Sequence, residues 1–523
     1  MRLKTPSLIT SALLILLPGG AVQARTIPTA SVDGTATGVI RISEDDVSDA
    51  ALRRLYTRSK WQALWSVESV SALKAALADR GRHGLDHLSF GSGDIPDAGS
   101  AGADVALSRA ALDYAAALAG GRIDPASLHE VYTVPRPDVD VVAGLGRALA
   151  AGTLAGWLES LAPQDPDYRS LSDAYLRFSQ AATDARPTET LAGGIIRIGN
   201  RDARVPAIVG QLAESGYLDA TVPAIAFDPG AAASPPAAID PTLYTPAMAE
   251  ALKGLQTDYG IAADGVVGPA TLKVLNLGPG DRARSLAVAL ERRRWLSRTP
   301  PPTRIDVNTA AAQLRYYRNG MLIDTRKVVV GEPGHETPAL ASPIFRLVAN
   351  PTWTVPKSIQ TGEMANVGSD YLQAHNMVLR DGWIVQQPGP DNALGLVKFD
   401  MANDQAIYLH DTSAPALFER SQRHLSHGCV RVDDALGFAQ MLATDEGVAD
   451  AWQAAQASGE MTFVPLPTRI PVRLLYHNVY INDDGAIAFR TDPYGWNDAI
   501  AERLGFARAS AQRAEARGID VGP

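Results

Sequence analysis

Cysteine is nearly absent from this chain: its 523 residues contain a single one, Cys429. A lone cysteine excludes an internal disulfide framework, because each bridge needs two thiols. Long blocks of lysine and arginine are also missing, and 57 acidic against 48 basic residues give a formal net charge of −9. This charge gives no electrostatic reason to expect nucleic acid as a partner. A composition that is 46% hydrophobic and 20% charged excludes a disordered or collagen-like chain, and the length implies two to four domains.

Long apolar runs are scarce too, and the most apolar one is short. It extends over ten residues from Leu8 to Leu17, follows two basic residues and precedes a small-residue site that ends at Ala24. A bilayer about 30 Å thick needs about 20 apolar residues to be crossed, so this run is too short. We therefore expect residues 1–24 to be a signal peptide cleaved after Ala24, and no transmembrane segment in the mature chain. An uncleaved anchor is the alternative.

The rest of the sequence predicts a multidomain α+β protein. Residues 25–235 repeat Ala and Leu at helical spacing and indicate a mostly helical domain that ends in a Pro-rich linker at 228–238. Residues 240–298 indicate a small helical unit, in which Gly260 is placed to stop one helix and Pro269 to start the next. Residues 303–500 are β-rich, with Asn319-Gly320 as a hairpin turn. Residues 501–523 are expected to be a C-terminal tail.

The single thiol lies in a sequence that is typical of a catalytic nucleophile. Cys429 follows Ser426-His427-Gly428, and His410 comes before it at the predicted end of a strand. A nucleophilic thiol needs a base, and an adjacent glycine lets a carbonyl approach backbone N–H donors. His410 can take that proton, and His427 is an alternative base that spacing does not exclude.

Two other interpretations of this thiol remain open. Cys429 could be an inert buried thiol. It could also join His410, His424 and His427 as a zinc ligand, although His427 and Cys429 are crowded for one metal. His424 follows a polar helical stretch and is expected to face solvent.

The span from His410 to Arg431 resembles the signature of the L,D-transpeptidases: a histidine, a gap of about 16 residues, then Ser-His-Gly-Cys-Val-Arg. The resemblance continues in Asn350 to Pro356 and in Gln387 to Gly395. The segment LKGLQTDYGIAADGVVGPATLKVLN is similar to the three-helix peptidoglycan-binding module of cell-wall enzymes. Together these segments resemble the large Gram-negative branch of the family, which implies a helical scaffold domain, a peptidoglycan-binding module, a catalytic domain with an inserted lid at about 357–399, and a periplasmic location.

The resemblance also implies roles for single residues. Cys429 is the implied nucleophile and His410 the base, with the backbone amides of His427, Gly428 and Cys429 as an oxyanion pocket. The Asp411 carbonyl would fix the His410 tautomer, while the third member of any triad stays open. The residues implied in substrate binding or loop support are Arg431, Tyr408, Ser426, Trp353, Asn392 and Lys398. Core packing is the alternative for Trp353.

The implied reaction is a 3-3 cross-link between peptidoglycan stems. A thioester on Cys429 would be formed from a tetrapeptide stem and then attacked by the amine of another stem, without a cofactor or metal. Carbapenems would acylate the thiol. The alternatives are water as acceptor, which gives an L,D-carboxypeptidase, another amine such as a lipoprotein, or a scaffold that binds the wall without catalysis. Expected partners are peptidoglycan stem peptides and, beyond them, cell-wall synthases.

Overall fold

The computed structural model describes residues 40–91, 94–184, 190–218 and 240–507. The expected signal peptide and the Pro-rich segment 228–238 lie outside the described residues, as do the last residues of the chain from 508 onward. Within the described ranges, no helix combines the length and the apolar character needed to cross a membrane.

The N-terminal part of the described chain is helical, as its Ala and Leu periodicity predicts. Asp49, Ser66 and Ser100 each accept a hydrogen bond from the first turn of the helix that follows, which satisfies a backbone N–H that the helix leaves unpaired. Leu107 and Leu118 of the longest helix are buried in the domain core. The helices are α1 (Ala50–Arg58), α2 (Val67–Ala78), α3 (Ala101–Gly120), α4 (Val141–Ala151), α5 (Leu154–Leu161) and α6 (Pro166–Asp184).

A small helical module follows, and it begins earlier in the chain than the sequence suggests. Its helices are α7 (Val205–Glu214), α8 (Pro246–Asp258) and α9 (Pro269–Leu275). Helix α7 contacts both of the others, and Ile196 pairs through its backbone with Val267. The chain on both sides of the Pro-rich segment therefore belongs to one unit, and the domain boundary expected at 235–240 is wrong. A low-complexity composition marks an insertion as readily as a linker between domains.

The local signals inside this module are found as the sequence predicts. Helix α8 stops before Gly260, which has a φ of 66°, a conformation that glycine adopts without strain. Pro269 is the first residue of α9. Met248, Leu252 and Leu255 are buried against the other helices.

Two segments that the sequence places elsewhere belong to the helical domain. Helix α10 (Pro279–Arg294) packs along α6 instead of completing the module. At the other end of the chain, α15 (Asn497–Arg503) packs on α10, Leu504 is buried, and the Phe506 ring lies 4.2 Å from the His87 ring. Residues 501–507 are therefore packed rather than a tail, because their apolar side chains have a surface to cover.

The β-rich half contains one closed sheet. Its strands are β1 (Arg304–Asn308), β2 (Gln313–Arg318), β3 (Met321–Gly331), β4 (Ala341–Ala349), β8 (Val397–Met401), β9 (Leu409–His410), β10 (His424–Ser426), β11 (Val430–Val432) and β12 (Thr462–Leu475). The strand order is β10-β3-β11-β9-β8-β4-β12-β1-β2, and β2 also pairs with β3, which closes the sheet. Asn319 and Gly320, with φ of 52° and 83°, form the predicted two-residue hairpin turn. Helices α13 (Ala435–Asp445) and α14 (Ala449–Ala457) pack against the sheet around Phe438 and Trp452.

Residues 353–386 form an inserted subdomain with its own apolar cluster around Val355, Met364 and Ile384. It contains β5 (Trp353–Thr354), α11 (Lys357–Thr361), α12 (Ser369–Ala374), β6 (Met377–Arg380) and β7 (Trp383–Gln386). The strands pair in the order β5-β7-β6. The lid expected at about 357–399 thus extends too far, because residues 397–399 are part of β8 in the main sheet. A last hairpin, β13 (Val479–Ile481) and β14 (Ile487–Phe489), contacts the helical domain.

Candidate active site

Two parallel strands place the candidate residues on one face of the sheet. In β9 and β11, Leu409 pairs with Val430, and His410 pairs with Arg431. Side chains alternate along a strand, so Leu409 and Val430 point into the core, where both are fully buried, and His410 and Arg431 share the other face. Lys398 pairs with His410 from β8 and extends the same row.

Cys429 lies directly before β11, and the register places it beside Tyr408 on the face that carries His410. The Val430 N–H donates to the Tyr408 carbonyl at 3.1 Å, and the Tyr408 ring lies 5.6 Å from the His410 ring. The structure therefore brings Cys429, Tyr408 and His410 together, although 18 residues separate the base from the thiol in sequence.

The environment of Cys429 holds it as a thiol at rest. Burial raises the pKa of Cys429, while the backbone N–H and phenol of Tyr408 and the positive charges of Lys398 and Arg431 oppose that rise. The Sγ atom points to the Ala406 carbonyl at 3.7 Å. Cys429 therefore needs a base at the moment of attack, rather than being a thiolate beforehand.

His410 lies on the same face as Cys429 and has the protonation state that a base needs. It is only 4% exposed, and its Nδ1 lies 2.5 Å from the Asp411 carbonyl, the contact that the resemblance implies. Burial, together with the charges of Arg431 and Lys398, lowers the pKa of His410 to about 3. The imidazole is thus neutral near pH 7 and able to accept a proton.

The loop before the nucleophile is fixed by hydroxyl groups. Ser426 donates to the Cys429 carbonyl at 2.6 Å and accepts from the Gly428 N–H at 3.2 Å. Thr337 donates to the Gly428 carbonyl at 2.8 Å. Gly428 has a φ of 108°, which a residue with a side chain adopts only with strain.

These contacts determine which backbone N–H groups of the loop remain free to bind a substrate. Of the three backbone N–H groups expected in the oxyanion pocket, that of Gly428 already donates to Ser426. Those of His427 and Cys429 have no hydrogen-bond partner among the described residues. The arrangement therefore favours His427 and Cys429 as donors, with Gly428 supplying the backbone shape.

His427 is directed away from the thiol and toward the inserted subdomain. Its Nε2 lies 2.6 Å from a carboxylate oxygen of Glu363, and its ring lies 4.8 Å from that of His335. Because the side chain is half-exposed and already paired, the geometry favours His410 over His427 as the base.

Polar groups of Lys398, Tyr408 and Arg431 lie around Cys429 and His410. The Lys398 ammonium lies 4.3 Å from the centre of the Tyr408 ring and 2.7 Å from Asp400. Burial raises the pKa of Tyr408. Arg431 has a buried Nε without a partner among the described residues, so this donor can bind a substrate oxygen.

Trp353 and Asn392 lie in different settings from these residues. Trp353 packs on the apolar cluster of the inserted subdomain, which agrees with the packing alternative. Asn392 is 1% exposed, and its amide donates to the carbonyls of Pro351 and Gln387 at 3.1 and 2.9 Å. Its side-chain oxygen accepts from the Leu394 N–H at 2.8 Å. Asn392 therefore holds the loop that leads into β8, which is a structural role rather than the expected substrate contact.

The structure does not gather the residues of the zinc alternative. His424 lies in strand β10, not in a helix facing solvent, and its Nε2 is 2.9 Å from the Thr309 carbonyl. Among the described residues, the group with three possible ligand atoms within 4.8 Å of one another consists of Glu332, His335 and His427, without Cys429.

Sequence reasoning missed Thr337 and Glu363. Both lie outside the motif, 92 and 66 residues before Cys429, and reach it through tertiary contacts. The sequence marks Thr337 only weakly. This residue follows the turn-forming segment Glu332-Pro333-Gly334, which comes directly after β3. No local pattern marks Glu363.

Comparisons with known protein families match three segments of the chain. Residues 302–451 match the YkuD family, described as the L,D-transpeptidase catalytic domain, and residues 50–175 match the family described as a scaffold domain. Residues 201–275 match a family described as "Putative peptidoglycan binding domain". This last match includes the chain on both sides of the Pro-rich segment, in agreement with the module in the structure.

Individual proteins show similarity over parts of the chain. A curated protein of Haemophilus influenzae, named "Putative L,D-transpeptidase", is 33% identical over 220 residues, which are 38% of this chain and 45% of that protein. The match thus spans less than half of that relative. The solved L,D-transpeptidase (Yku) of Stackebrandtia nassauensis is 15% identical with a TM-score of 0.22, covering 56% of this chain and 97% of that one. An L,D-transpeptidase structure from Xylanimonas cellulosilytica is 15% identical with a TM-score of 0.18, covering 55% and 100%.

Proposed function

We propose that the protein is an acyltransferase that cross-links peptidoglycan through a thioester on Cys429, because residues 302–451 match the family described as the L,D-transpeptidase catalytic domain. The observation that carries this proposal is the shared face of β9 and β11. There the single thiol of the chain lies beside Tyr408 and on the same face as the buried, neutral His410.

His410 acts as the general base in this mechanism. A carbonyl oxygen only accepts hydrogen bonds, so the Asp411 carbonyl holds the proton on Nδ1 of His410 and leaves a lone pair on Nε2. As Sγ of Cys429 attacks the substrate carbonyl, the thiol proton passes to this Nε2. The carbonyl electrons move to oxygen, where the N–H groups of His427 and Cys429 stabilise the negative charge.

The proposed acyl donor is a tetrapeptide stem. The attacked bond joins its third residue, at the L-centre of meso-diaminopimelate, to the terminal D-Ala. When this C–N bond breaks, D-Ala leaves with the proton from His410, and a thioester remains on Cys429. The amine of a second stem then loses a proton to His410 and attacks the thioester, which forms the 3-3 amide and restores the thiol.

The inserted subdomain lies over this chemistry. Glu363 of that subdomain pairs with His427, two residues before the nucleophile. Excluding water from a thioester favours an amine acceptor over hydrolysis. We propose that the Glu363–His427 contact keeps the subdomain closed during the lifetime of the thioester.

Other parts of the chain support a role at the cell wall. The match of residues 201–275 to a peptidoglycan-binding family supports peptidoglycan as the partner. We propose a periplasmic location for the mature protein, based on the signal-like residues 1–24.

Incubation of the purified mature protein with disaccharide-tetrapeptide, followed by mass spectrometry, tests the proposal. Dimers that lack one D-Ala are expected. Tripeptide alone would make the protein an L,D-carboxypeptidase, and unchanged substrate would contradict an acyltransferase. Cys429→Ala should abolish every product yet still sediment with peptidoglycan, which separates loss of chemistry from loss of binding. Cys429→Ser serves as the variant of matched size.

A further inference from the structure

One cavity in the described part of the chain lies away from the nucleophile. It has a volume of about 760 Å³ and lies between the helical domain and the sheet, and its lining includes neither Cys429 nor His410. The segment after α5 and the end of α10 form one wall, with Arg293 paired to Asp165 at 2.6 Å and to Asp167 at 3.0 Å.

The floor of this cavity is the polar face of three adjacent strands. In β1, β2 and β12, alternate residues such as Ile305, Leu314 and Leu474 are buried in the core. The residues between them face the cavity: Arg304, Asp306, Asn308, Gln313, Arg315, Tyr317 and Arg473. The polar face is therefore built by strand alternation and is not a chance gathering of surface side chains.

Positive charge is in slight excess in this lining. Asp306 lies at its centre, where Arg473 donates two hydrogen bonds at 2.7 and 2.8 Å and Arg304 donates one at 2.8 Å. Arg315, the register partner of Asp306, instead bonds to Asp483 at 2.6 Å. The lining contains five arginines and three aspartates, and with Asp483, which pairs with Arg315, the arginines outnumber the carboxylates by one.

Buried polar atoms in this cavity lack partners. His477 lines the cavity and is 8% exposed, and neither of its ring nitrogens has a hydrogen-bond partner among the described residues. The Nε of Arg315 is likewise buried and unpaired there. Bonds to Asn308 at 2.9 and 3.0 Å fix the His477 backbone, so its ring is held in place. Buried polar groups normally have partners, and a ligand in this cavity would supply them.

We propose that this cavity binds a small anion carrying carboxylate or phosphate groups, held between the helical domain and the sheet. The Nε of Arg315 and one ring N–H of His477 donate to its oxygens. The volume is within the range of about 300 to 1,000 Å³ that is typical of small-molecule sites. The carboxylates of a peptidoglycan stem and free phosphate share this chemistry. The inference does not depend on the transferase activity.

Calorimetric titration of the full mature chain with inorganic phosphate, and separately with disaccharide-tetrapeptide, tests the proposal and distinguishes the two sources. His477→Leu and Arg315→Gln should each weaken binding at least tenfold. Matched controls are His87→Leu, at a half-exposed histidine outside the cavity, and Arg318→Gln, on the same strand as Arg315 but bonded to Asp445 away from the cavity. Both controls should bind like the unchanged chain.

Histidine-labelled NMR of the unchanged chain gives a second readout, which needs only one of two His477 variants to fold. Loss of one signal in His477→Leu, or in a second variant His477→Gln, assigns the His477 ring. That signal should shift on addition of the anion that binds, because a ring nitrogen gains a partner. If neither anion gives heat or moves the His477 signal, or if His477→Leu and Arg315→Gln both bind as tightly as the unchanged chain, the proposal is wrong.

Discussion

Thr337 offers a sharp test of how the nucleophile is held. It is 1% exposed, and its hydroxyl joins two backbone segments: it donates to the Gly428 carbonyl at 2.8 Å and accepts from the Gly331 N–H at 2.9 Å. Replacing Thr337 by Val keeps the shape of the side chain and removes both hydrogen bonds. A carbonyl next to Cys429 and an N–H at the end of β3 then lose this partner in a buried place.

The magnitude follows from these two contacts. A buried polar group that loses its partner costs about 1 to 3 kcal/mol, so two such groups lower the stability of the domain by about 2 to 4 kcal/mol once some relaxation is allowed. For a domain of about 150 to 250 residues this is a fall in melting temperature of about 4 to 16 °C. Because Gly428 positions the N–H groups expected to stabilise the oxyanion, acylation should slow as well, by about 10- to 100-fold.

Two assays and one control check this reasoning. Thermal unfolding of the mature protein measures the stability, and intact-mass spectrometry of Cys429 acylation by a carbapenem measures the rate. Thr337→Ser retains the hydroxyl and loses only a methyl group, so it should keep most of the acylation rate. If Thr337→Val and Thr337→Ser acylate equally fast, the hydroxyl does not position the nucleophile loop and the reasoning fails.

Three further outcomes are expected. In Gly428→Ala the added methyl group has space, because the nearest atom is 3.5 Å away, but the residue must adopt a φ of 108°. This strain should slow carbapenem acylation at least about tenfold. An unchanged rate would show that this backbone conformation is not needed. Glu363→Gln weakens the exposed contact with His427, so the free energy of unfolding should change by less than about 1 kcal/mol. Deuterium exchange in the inserted subdomain should nevertheless accelerate. Glu332→Gln is the control, and equal exchange in the two variants would argue against a closing role for Glu363. Burial lowers the pKa of His410 from its usual value of 6.5 to about 3, so the unfolded chain binds this proton first as the pH falls. The contribution to stability is therefore full above pH 6.5 and is lost toward pH 3, at up to about 1.4 kcal/mol per pH unit. Urea unfolding at pH 7.5 and 5 measures this loss, which His410→Gln should reduce.

Features that depend on neighbours in sequence were predictable. The Asn319-Gly320 turn, the stop at Gly260 and the start at Pro269 each follow from the backbone conformations that those residues favour. Cys429 and His410 were also accessible as candidates, because the motif and the strand before it indicate both residues.

The expected domain boundaries show where such reasoning stops. The Pro-rich segment looked like the end of a domain, yet the chain before and after it forms one module. The sequence analysis places helix α10 in that module, but the helix packs on α6. The two apolar faces that fit each other are distant in the chain, so local spacing does not relate them.

The sequence by itself determined the candidates for the chemistry, namely the single thiol and the two histidines that could serve it, and where turns and helix ends fall, since all of these depend on residue type and local spacing. Only the tertiary structure decided what surrounds that chemistry. The contacts of Thr337 with Gly428 and of Glu363 with His427, the buried role of Asn392 and the unpaired ring of His477 arise between segments that periodicity cannot relate. Such contacts are set by how the sheet closes and which surfaces pack, and no local pattern in the chain encodes them.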